Sequence, residues 1–223
     1  MSFISVFDVI GPNMIGPSSS HTAGANVIGY LAYKLAPGKI KKVSFRLYGS
    51  FAKTFRGHGT DRALLGGILG LRSDDSRIVN SFELAEKNGI EYEFIPDFKE
   101  NDVHPNTADI VMECENGKTM NVRGESLGGG KARICRINNV EADFSGKYSA
   151  MLVIQKDVPG VLAHITHCLS ESNVNIAFMR LFREAKGDIA YTFVESDSPI
   201  SSNVIPAVRL NSNVSDVMLI DAI

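Results

Sequence analysis

The sequence predicts an α+β fold arranged as two domains, and two features of its pattern support this prediction. In the first part of the chain, helical and strand-like segments are partly segregated, whereas a doubly wound parallel sheet would require them to alternate. In the last part, from about residue 148, the segments follow the order strand, helix, strand, strand, helix, strand. We therefore predict a mixed helix and sheet domain at residues 1–145 and a smaller domain at residues 148–223.

Hydrophobic patterning defines the elements of the first domain. Apolar residues at helical spacing predict helices at residues 22–35, 61–71 and 77–88. Apolar and β-branched runs predict strands at residues 42–48, 90–95, 108–113, 118–125 and 132–138. Asn116-Gly117 indicates a hairpin turn, because glycine adopts positive φ at little cost. Gly66, Gly67 and Gly70 each cost a helix roughly 1 kcal/mol relative to alanine, which indicates close packing against a neighbour.

The elements of the second domain follow from the same kind of pattern. The predicted strands are residues 150–154, 174–182, 189–195 and 214–220. The predicted helices are residues 161–170 and 199–209. This βαββαβ order is typical of a ferredoxin-like sheet that carries two helices on one face.

Composition and charge exclude several classes of protein. With 223 residues, of which 44% are hydrophobic and 22% charged, the chain is typical of a globular protein of one or two domains. The formal net charge of -2 and the lack of a long basic run give no electrostatic argument for a nucleic-acid partner. No run approaches the roughly 18 apolar residues that span a bilayer, and residues 1–10 lack the pattern of a signal peptide. We therefore expect no membrane partner and a cytoplasmic location.

The chain contains three cysteines, Cys114, Cys135 and Cys168, without close spacing. An odd number at such spacing argues against a disulfide framework and against a metal or iron–sulfur site made wholly within this chain. We expect these side chains to be buried as small hydrophobic groups, and we predict no metal ligand among the residues of the chain.

Residues 16–24 combine three hydroxyls and an imidazole at the start of a predicted helix. Ser18, Ser19 and Ser20 are candidates for the helix N-cap, and His21 and Thr22 follow them. The backbone N–H groups of a first helical turn lack partners and the helix dipole is positive there, so a carboxylate or a phosphate fits this position. The structural alternative is an ordinary serine cap beside an exposed histidine.

A second candidate segment, Gly57-His58-Gly59-Thr60-Asp61, comes soon after the predicted strand at residues 42–48. The glycines on both sides of His58 remove side-chain bulk, so a ligand or another chain can approach the imidazole closely. Thr60 and Asp61 begin the next predicted helix. Asp61 also has a structural use there, because a carboxylate in the first turn complements the helix dipole.

Two further histidine segments are weaker candidates. His104-Pro105-Asn106 sets a histidine in a proline-fixed turn, and we predict His104 and Asn106 as interface residues, with simple packing as the alternative. His164 and His167 lie on one face of the predicted helix at residues 161–170. No third metal ligand is evident near them, so a surface or interface role is favoured over a metal site.

In the second domain, Asp157-Val158-Pro159-Gly160 and the later Asn175-Ile176 resemble the ACT domain, a small ferredoxin-like module that usually binds an amino-acid effector at an interface between domains. The resemblance implies an effector site at Asp157, Gly160, Asn175 and Ile176. Gly160 would permit close backbone approach, and Asp157 would hold an ammonium group. The alternative is that Asp157 only caps the following helix and that the domain serves dimerisation.

Four motifs in order, followed by the ACT-like module, resemble the beta subunit of iron–sulfur-dependent L-serine dehydratase. They are Ser18-Ser19-Ser20-His21-Thr22, Gly57-His58-Gly59-Thr60-Asp61, His104-Pro105-Asn106 and Leu127-Gly128-Gly129-Gly130. The resemblance covers nearly the whole chain. It implies conversion of L-serine into pyruvate and ammonia together with a separate alpha subunit whose cysteines hold a 4Fe-4S cluster. The first domain also resembles the allosteric substrate-binding domain of some 3-phosphoglycerate dehydrogenases, which binds an anionic regulator without catalysis.

The implied reaction removes the α-proton of serine, and a histidine suits this task because its reference pKa is about 6.5. We predict that His58 is the base, while the reverse assignment with His21 as the base stays open. We predict that the clamp on the substrate carboxylate or ammonium consists of Ser18, Ser19, Ser20, His21 and Thr22. Thr60 and Asp61 are predicted to orient the imidazole or the substrate amine.

A second class of function stays open on the same residues. In that alternative the chain is a non-catalytic regulatory subunit that senses an anion and an amino acid, and all chemistry takes place in the alpha subunit. A homodimer through the ACT-like domain or the first domain is the default expectation. The sequence leaves open the effector's identity and activity on threonine.

Overall fold

The structure is a computed structural model, and it describes residues 13–100 and 102–223. Two compact units divide at Asn138 and Asn139. Both contain helices and strands, which confirms the predicted α+β class. The functional domain limits predicted from the sequence, 1–145 and 148–223, stay a prediction. Among the described residues, no helix combines the length and the apolar character that crossing a bilayer requires.

The first unit begins, within the described residues, with a π-helical turn at Ser19–Gly24 that leads directly into helix α1. Its helices are α1 (Ala25–Lys34), α2 (Gly49–Thr54), α3 (Thr60–Ile68) and α4 (Ser81–Lys87), with a 3-10 turn at Ser76–Asn80. Its strands are β1 (Ile40–Leu47), β2 (Glu91–Pro96), β3 (Thr107–Cys114), β4 (Thr119–Gly128) and β5 (Lys131–Ile137). All five strands predicted for this part of the chain are confirmed.

The strands of the first unit follow the order β2-β1-β3-β4-β5. Strand β1 pairs with β2 in parallel, and the other pairs are antiparallel. In β4 every second residue from Met120 to Ser126 is buried, so one face of the strand packs on the core while the other carries half-buried or exposed side chains. The sheet is therefore mostly antiparallel, as expected for an α+β arrangement.

Helices α1 and α3 pack at very short range, which the glycines of α3 make possible. A Cβ atom added at Gly67 would lie 2.4 Å from the carbonyl oxygen of Asn26, and one added at Gly29 would lie 2.2 Å from the carbonyl oxygen of Leu64. Any larger side chain at either position would force the two backbones apart. This confirms the close packing that the glycine content of residues 61–71 indicated.

Two helical segments of the first unit differ from the prediction. The predicted helix at residues 77–88 is divided into the 3-10 turn and α4. Helix α2 was missed, because six residues are too few to show helical periodicity. Tertiary contacts support its start, since the backbone N–H groups of Ser50 and Phe51 donate to the carbonyl oxygen of Pro105, at 2.7 and 3.3 Å.

The second unit has one strand that was not predicted and then the predicted order of elements. Its strands are β6 (Val140–Phe144), β7 (Ser149–Lys156), β8 (Phe178–Arg183), β9 (Ile189–Ser196) and β10 (Val214–Ile220). Its helices are α5 (Val161–Glu171) and α6 (Val204–Arg209). From β7 onward the order is βαββαβ, and the sheet order is β10-β7-β9-β8 with antiparallel neighbours.

Both helices of the second unit contribute to one apolar core with the sheet. Met151 and Val194 of the strands are buried together with Ile165 of α5 and Val208 of α6. Because the core-facing residues alternate along the strands, one face of this sheet carries the two helices. This agrees with the two-helix face that the βαββαβ pattern predicted.

Two element boundaries in the second unit were predicted wrongly. The strand predicted at residues 174–182 begins only at Phe178, because Asn173 has a φ of 55° and the N–H of Val174 donates to the carbonyl oxygen of Leu169 at the end of α5. The helix predicted at residues 199–209 begins only at Val204. The residues just before it form turns, in which the N–H of Val204 donates to the carbonyl oxygen of Ser201.

Candidate functional site

Two imidazole rings from separate segments of the first unit lie side by side. The ring centroids of His21 and His58 are 4.8 Å apart, and the ring planes are tilted by 52°. A hydrogen bond of 3.0 Å from the Thr22 hydroxyl to the carbonyl oxygen of His58 ties the two segments together. The two candidate segments found in the sequence therefore meet in space, and both rings are half-buried. Their chemical roles stay a prediction.

The π-helical turn begins with Ser18, which has an extended backbone and acts as the N-cap. The Ser18 hydroxyl accepts a hydrogen bond of 3.1 Å from the backbone N–H of His21, and its carbonyl oxygen accepts from the N–H groups of both Thr22 and Ala23. The second of these bonds spans five residues and widens the turn, a geometry found often at functional sites. Ser18 thus provides the serine cap, while Ser19 and Ser20 are half-buried within the turn.

The ring of His21 contacts a hydroxyl group at each nitrogen. Its Nε2 lies 2.9 Å from the Ser50 hydroxyl, and its Nδ1 lies 3.5 Å from the Ser18 hydroxyl. The edge of the ring also meets Phe51, with centroids 5.4 Å apart. Burial, followed by the neighbouring His58, lowers the pKa of His21 below its ordinary value of 6.5.

Ser50 is a site residue that the sequence analysis did not select. It lies in α2, directly after β1, and it reaches His21 from the opposite segment of the site. The available signal was its position in the loop after a predicted strand, where polar side chains often serve a site. That signal alone does not distinguish Ser50 from its neighbours, because its partner is far away in the sequence.

His58 is placed differently from His21. Its Nδ1 is buried and has no hydrogen-bond partner among the described residues. Gly59 has a φ of 66° and begins α3, and a Cβ atom added there would meet no atom within 4 Å. The added Cβ of Gly57 would come no closer than 3.7 Å to another residue. The space beside the two glycines is thus open, as the sequence predicted, and the His58 ring has hydrogen-bonding capacity left.

Thr60 and Asp61 are both buried in the first turn of α3. The Thr60 hydroxyl has no hydrogen-bond partner among the described residues. The Asp61 carboxylate accepts a hydrogen bond of 2.8 Å from the N–H of Arg62, and burial raises its pKa. Asp61 therefore lies in the first turn of the helix, which is the structural role that the sequence analysis gave as its alternative. That either residue orients an imidazole or a substrate stays a prediction.

The loop at residues 104–106 and the end of β4 support the same site. The Ser126 hydroxyl donates to the carbonyl oxygen of Ser20 at 2.9 Å, and the Ser126 N–H donates to the carbonyl oxygen of Asn106 at 2.9 Å. Asn106 Oδ1 is buried without a partner within the described chain. His104 is exposed, and its Nδ1 accepts from the N–H of Asn106. Gly128 also approaches the turn, since its added Cβ would lie 3.6 Å from the Ser20 hydroxyl.

Two of the four candidate effector residues, Asp157 and Gly160, line a cavity of about 340 Å³ together with Arg183, whereas Asn175 and Ile176 are not part of its lining. Asp157 accepts hydrogen bonds of 3.2 Å from the N–H of Gly187 and from Arg183, and these two contacts lower its pKa. Gly160 has a φ of 91° and is the N-cap of α5, so Asp157 does not cap that helix. Asn175 is exposed, and Ile176 packs against the apolar core.

The remaining histidines and cysteines have local structural contacts. His164 Nε2 lies 3.0 Å from the carbonyl oxygen of Ala207 in α6, so its ring packs between the two helices of its unit. Cys114 and Cys168 are buried, as predicted, while Cys135 is half-buried, and burial raises its pKa to about 12. Within residues 13–100 and 102–223, no three or more His, Cys, Asp or Glu side chains are grouped so as to hold a metal ion.

Comparison with known proteins gives consistent matches over this chain. A family model described as serine dehydratase beta chain matches residues 5–133. The "L-serine dehydratase, beta chain" of Peptoniphilus asaccharolyticus is 41% identical over 208 residues, 93% of this chain and 94% of the relative. The "Probable L-serine dehydratase, beta chain" of Bacillus subtilis is 39% identical over 222 residues, which cover 97% of this chain and 98% of the relative. The D-3-phosphoglycerate dehydrogenase of Bacillus subtilis is 24% identical over 88% of this chain but only 37% of its own length.

Proposed function

We propose, on the premise that this chain belongs to the serine dehydratase beta-chain family, that it is the beta subunit of a two-chain enzyme converting L-serine into pyruvate and ammonia. The family model establishes that the chain belongs to this family. The substrate in the proposal comes from the names of two relatives that the chain matches over nearly their whole length. The observation that carries the proposal at the site is the 4.8 Å approach of His21 and His58. It supports a histidine base beside a polar turn.

The reaction requires a base for the α-proton of serine, and His58 meets this requirement better than His21. Both nitrogens of His21 face serine hydroxyls, whereas the Nδ1 of His58 has no partner among the described residues. A general base needs a ring nitrogen that the substrate can reach, so with Nδ1 buried we assign this role to the Nε2 of His58. We assign the proton transfer to His58, flanked by the open space at Gly57 and Gly59.

The π-helical turn is the proposed clamp for the substrate carboxylate or ammonium. Its hydroxyl groups come from Ser18, Ser19, Ser20 and Thr22. The first N–H groups of the turn carry the positive end of the helix dipole, which favours a bound carboxylate. The hydroxyls of Ser18 and Thr22 already form hydrogen bonds with backbone groups of this chain. We therefore propose the hydroxyls of Ser19 and Ser20 as the main contacts with the substrate. Thr60 and Asp61 are proposed to orient the imidazole or the substrate amine.

The described residues of this chain do not fit an iron–sulfur cluster. Cys114 and Cys168 belong to different units, and the described residues form no group of ligands. We therefore place the 4Fe-4S cluster on a separate alpha subunit, as the family resemblance implies, where its iron would act as a Lewis acid. His104 and Asn106, at the rim of the site, are the proposed contacts with that subunit.

The second unit is proposed to be an ACT domain that binds an amino-acid effector. Its βαββαβ order and its sheet order support this proposal. The effector would bind in the cavity beside Asp157 and Gly160, and the ion pair of Asp157 with Arg183 would open to admit an ammonium group. A contact of the effector with Asn175 and Ile176 rests on the family resemblance alone. Pairing of two copies through this domain or the first would give a homodimer.

A direct test is to combine this chain anaerobically with its alpha subunit and measure pyruvate formation from L-serine. We expect turnover that neither chain shows alone. A second candidate function is a non-catalytic regulator, and the similarity to D-3-phosphoglycerate dehydrogenase over 88% of this chain favours it. If the alpha subunit alone turns over at the full rate and this chain changes only its affinity for serine, the regulatory function replaces the catalytic one.

A further inference from the structure

We propose that Ser50 is a positioning residue that fixes the orientation of the His21 ring; its part in catalysis rests on the proposed function. The Ser50 hydroxyl lies 2.9 Å from His21 Nε2, which is the shortest polar contact of the ring in the described structure. The other nitrogen, Nδ1, meets the Ser18 hydroxyl only at 3.5 Å, a distance at which a hydrogen bond is weak. Ser50 therefore provides the main polar restraint on the ring.

The backbone of Ser50 is itself held rigidly. Its N–H donates to the carbonyl oxygen of Pro105 at 2.7 Å, and its carbonyl oxygen accepts from the Thr54 hydroxyl at 2.9 Å. The preceding residue, Gly49, has a φ of 51°, and a Cβ atom added there would lie 2.7 Å from Pro105. Only glycine allows the loop at residues 104–106 to approach so closely. These contacts fix the backbone position from which the Ser50 side chain reaches His21.

Two contacts of α2 act on the same ring. Phe51 meets the His21 ring edge to face, while Ser50 binds its Nε2, so one short helix sets both the plane and the rotation of the imidazole. The tilt of 52° between the His21 and His58 rings depends on that orientation. Without the Ser50 hydroxyl, the ring can turn about its Cβ–Cγ bond, and the arrangement of the two imidazoles is lost.

The contact also holds a neutral ring. In a neutral imidazole one nitrogen donates and the other accepts. Burial and the neighbouring His58 favour the neutral form of His21. The Ser50 hydroxyl can donate to Nε2 or accept from it, so it binds the ring in either tautomer. Removal of the hydroxyl leaves the longer and weaker contact of Nδ1 with Ser18.

The first measurement concerns the whole chain without its partner, so it does not depend on the proposed activity. Long-range ¹⁵N–¹H correlation spectra of the histidine rings report the two nitrogen shifts of His21, and the Nε2 shift responds to its hydrogen bond. We expect closely similar shifts in the wild-type protein and in Ser50→Thr, which keeps a hydroxyl. We expect a changed Nε2 shift in Ser50→Val, which has the shape of threonine without its hydroxyl. Identical His21 shifts in Ser50→Val and the wild type would overturn the inference.

The second measurement is turnover of L-serine by the two-chain enzyme. We expect kcat to fall about 10- to 100-fold in Ser50→Val and to recover in Ser50→Thr, because a misplaced group near the reacting centre costs about this much. Thr166→Val is the matched control, since it removes a helical hydroxyl of the other unit, which donates to the carbonyl oxygens of Leu162 and Ala163. Wild-type kcat in Ser50→Val would overturn the role in catalysis.

The two measurements separate the two proposals. If the wild-type pair of subunits consumes no serine while Ser50→Val shifts the His21 signals as expected, the proposed function fails and the positioning of His21 by Ser50 stands. If the pair is active and Ser50→Val changes neither the spectrum nor kcat, the positioning role fails and the proposed function stands. Thermal unfolding of each variant shows that it is folded, and Ser50→Ala replaces Ser50→Val should the larger side chain prevent folding.

Discussion

The imidazoles of His21 and His58 lie with ring centroids 4.8 Å apart, although one belongs to the turn before α1 and the other to the turn before α3. The neighbouring His58 adds to burial in lowering the pKa of His21. The neutral form of His21 is therefore favoured near pH 7.

The lowered pKa of His21 predicts a pH-dependent stability. His21 binds a proton more weakly in the folded chain than in the unfolded chain, so the unfolded state binds more protons between the two pKa values. This contribution is fully present above the ordinary value of 6.5 and is lost as the pH falls through the lower folded value. Urea unfolding at pH 7.5, 6.5 and 5.5 should show a smaller acid-induced loss in His21→Gln than in the wild type. Equal losses in the two proteins would contradict the prediction.

The assignment of the base predicts the effect of removing His58. In the reconstituted two-chain enzyme, His58→Ala should lower kcat by about 10²–10⁴-fold, the range found for general bases. His167→Ala is the matched control, because His167 is exposed on α5 of the other unit, and its kcat should stay at the wild-type level. A His58→Ala enzyme with wild-type turnover would transfer the role of base to another group.

The close packing of α1 and α3 predicts that Gly67 does not tolerate a side chain. Gly67→Ala would place its Cβ 2.4 Å from the carbonyl oxygen of Asn26, so the helices must separate, at a cost of about 1–3 kcal/mol. Gly57→Ala is the comparison, because its Cβ has ordinary contacts only, and it should not lower the free energy of unfolding. Denaturant titration measures both. A Gly67→Ala protein as stable as Gly57→Ala would mean that the helices repack without cost.

The buried carboxylate of Asp109 pairs with two arginines, closely with Arg123 and at longer range with Arg136. Burial alone would raise its pKa, but hydrogen bonds from Arg123, at 2.6 and 2.7 Å, and from the Tyr48 hydroxyl outweigh it, so the pKa is lowered. Arg123→Met leaves this charge with fewer partners and should destabilise the fold by about 3 kcal/mol.

The double variant Asp109→Leu with Arg123→Met tests the reason for that loss. Because it removes the buried charge together with its partner, it should be more stable than the sum of the two single changes implies. Urea unfolding of the wild type and the three variants completes the cycle. Strict additivity would show that Arg123 stabilises the sheet by packing and not by pairing with Asp109.

Part of the candidate site could be read from the sequence because it is local. The three serines before His21 and the glycines around His58 are neighbours in the chain, and each group marks the start of a helix. Ser50 and Ser126 could not be read in this way. Each acts through a hydrogen bond to a distant segment, Ser50 to the His21 ring and Ser126 to the carbonyl oxygen of Ser20.

The errors in the predicted elements have different origins. Val174 and Ile176 alternate with polar residues, which is a strand pattern, yet the N–H of Val174 bonds to the Leu169 carbonyl oxygen and the strand starts later. This bond is local, because it closes the C-terminus of α5. Helix α2 lacks a periodic pattern, and its first N–H groups are satisfied by Pro105 from another loop, so there a contact between separate segments decides.

The sequence by itself determined the kinds of elements, their order in the second unit, and the two histidine segments, because hydrophobic periodicity and helix-start residues act over a few neighbouring positions. Only the tertiary structure decided that His21 and His58 meet, that His21 is bound at both nitrogens, and that Ser50 holds it. The physical reason is that pairing of β1 with β3 and of β3 with β4 brings these segments together. Such pairing depends on the register of whole strands, which no short stretch of sequence encodes.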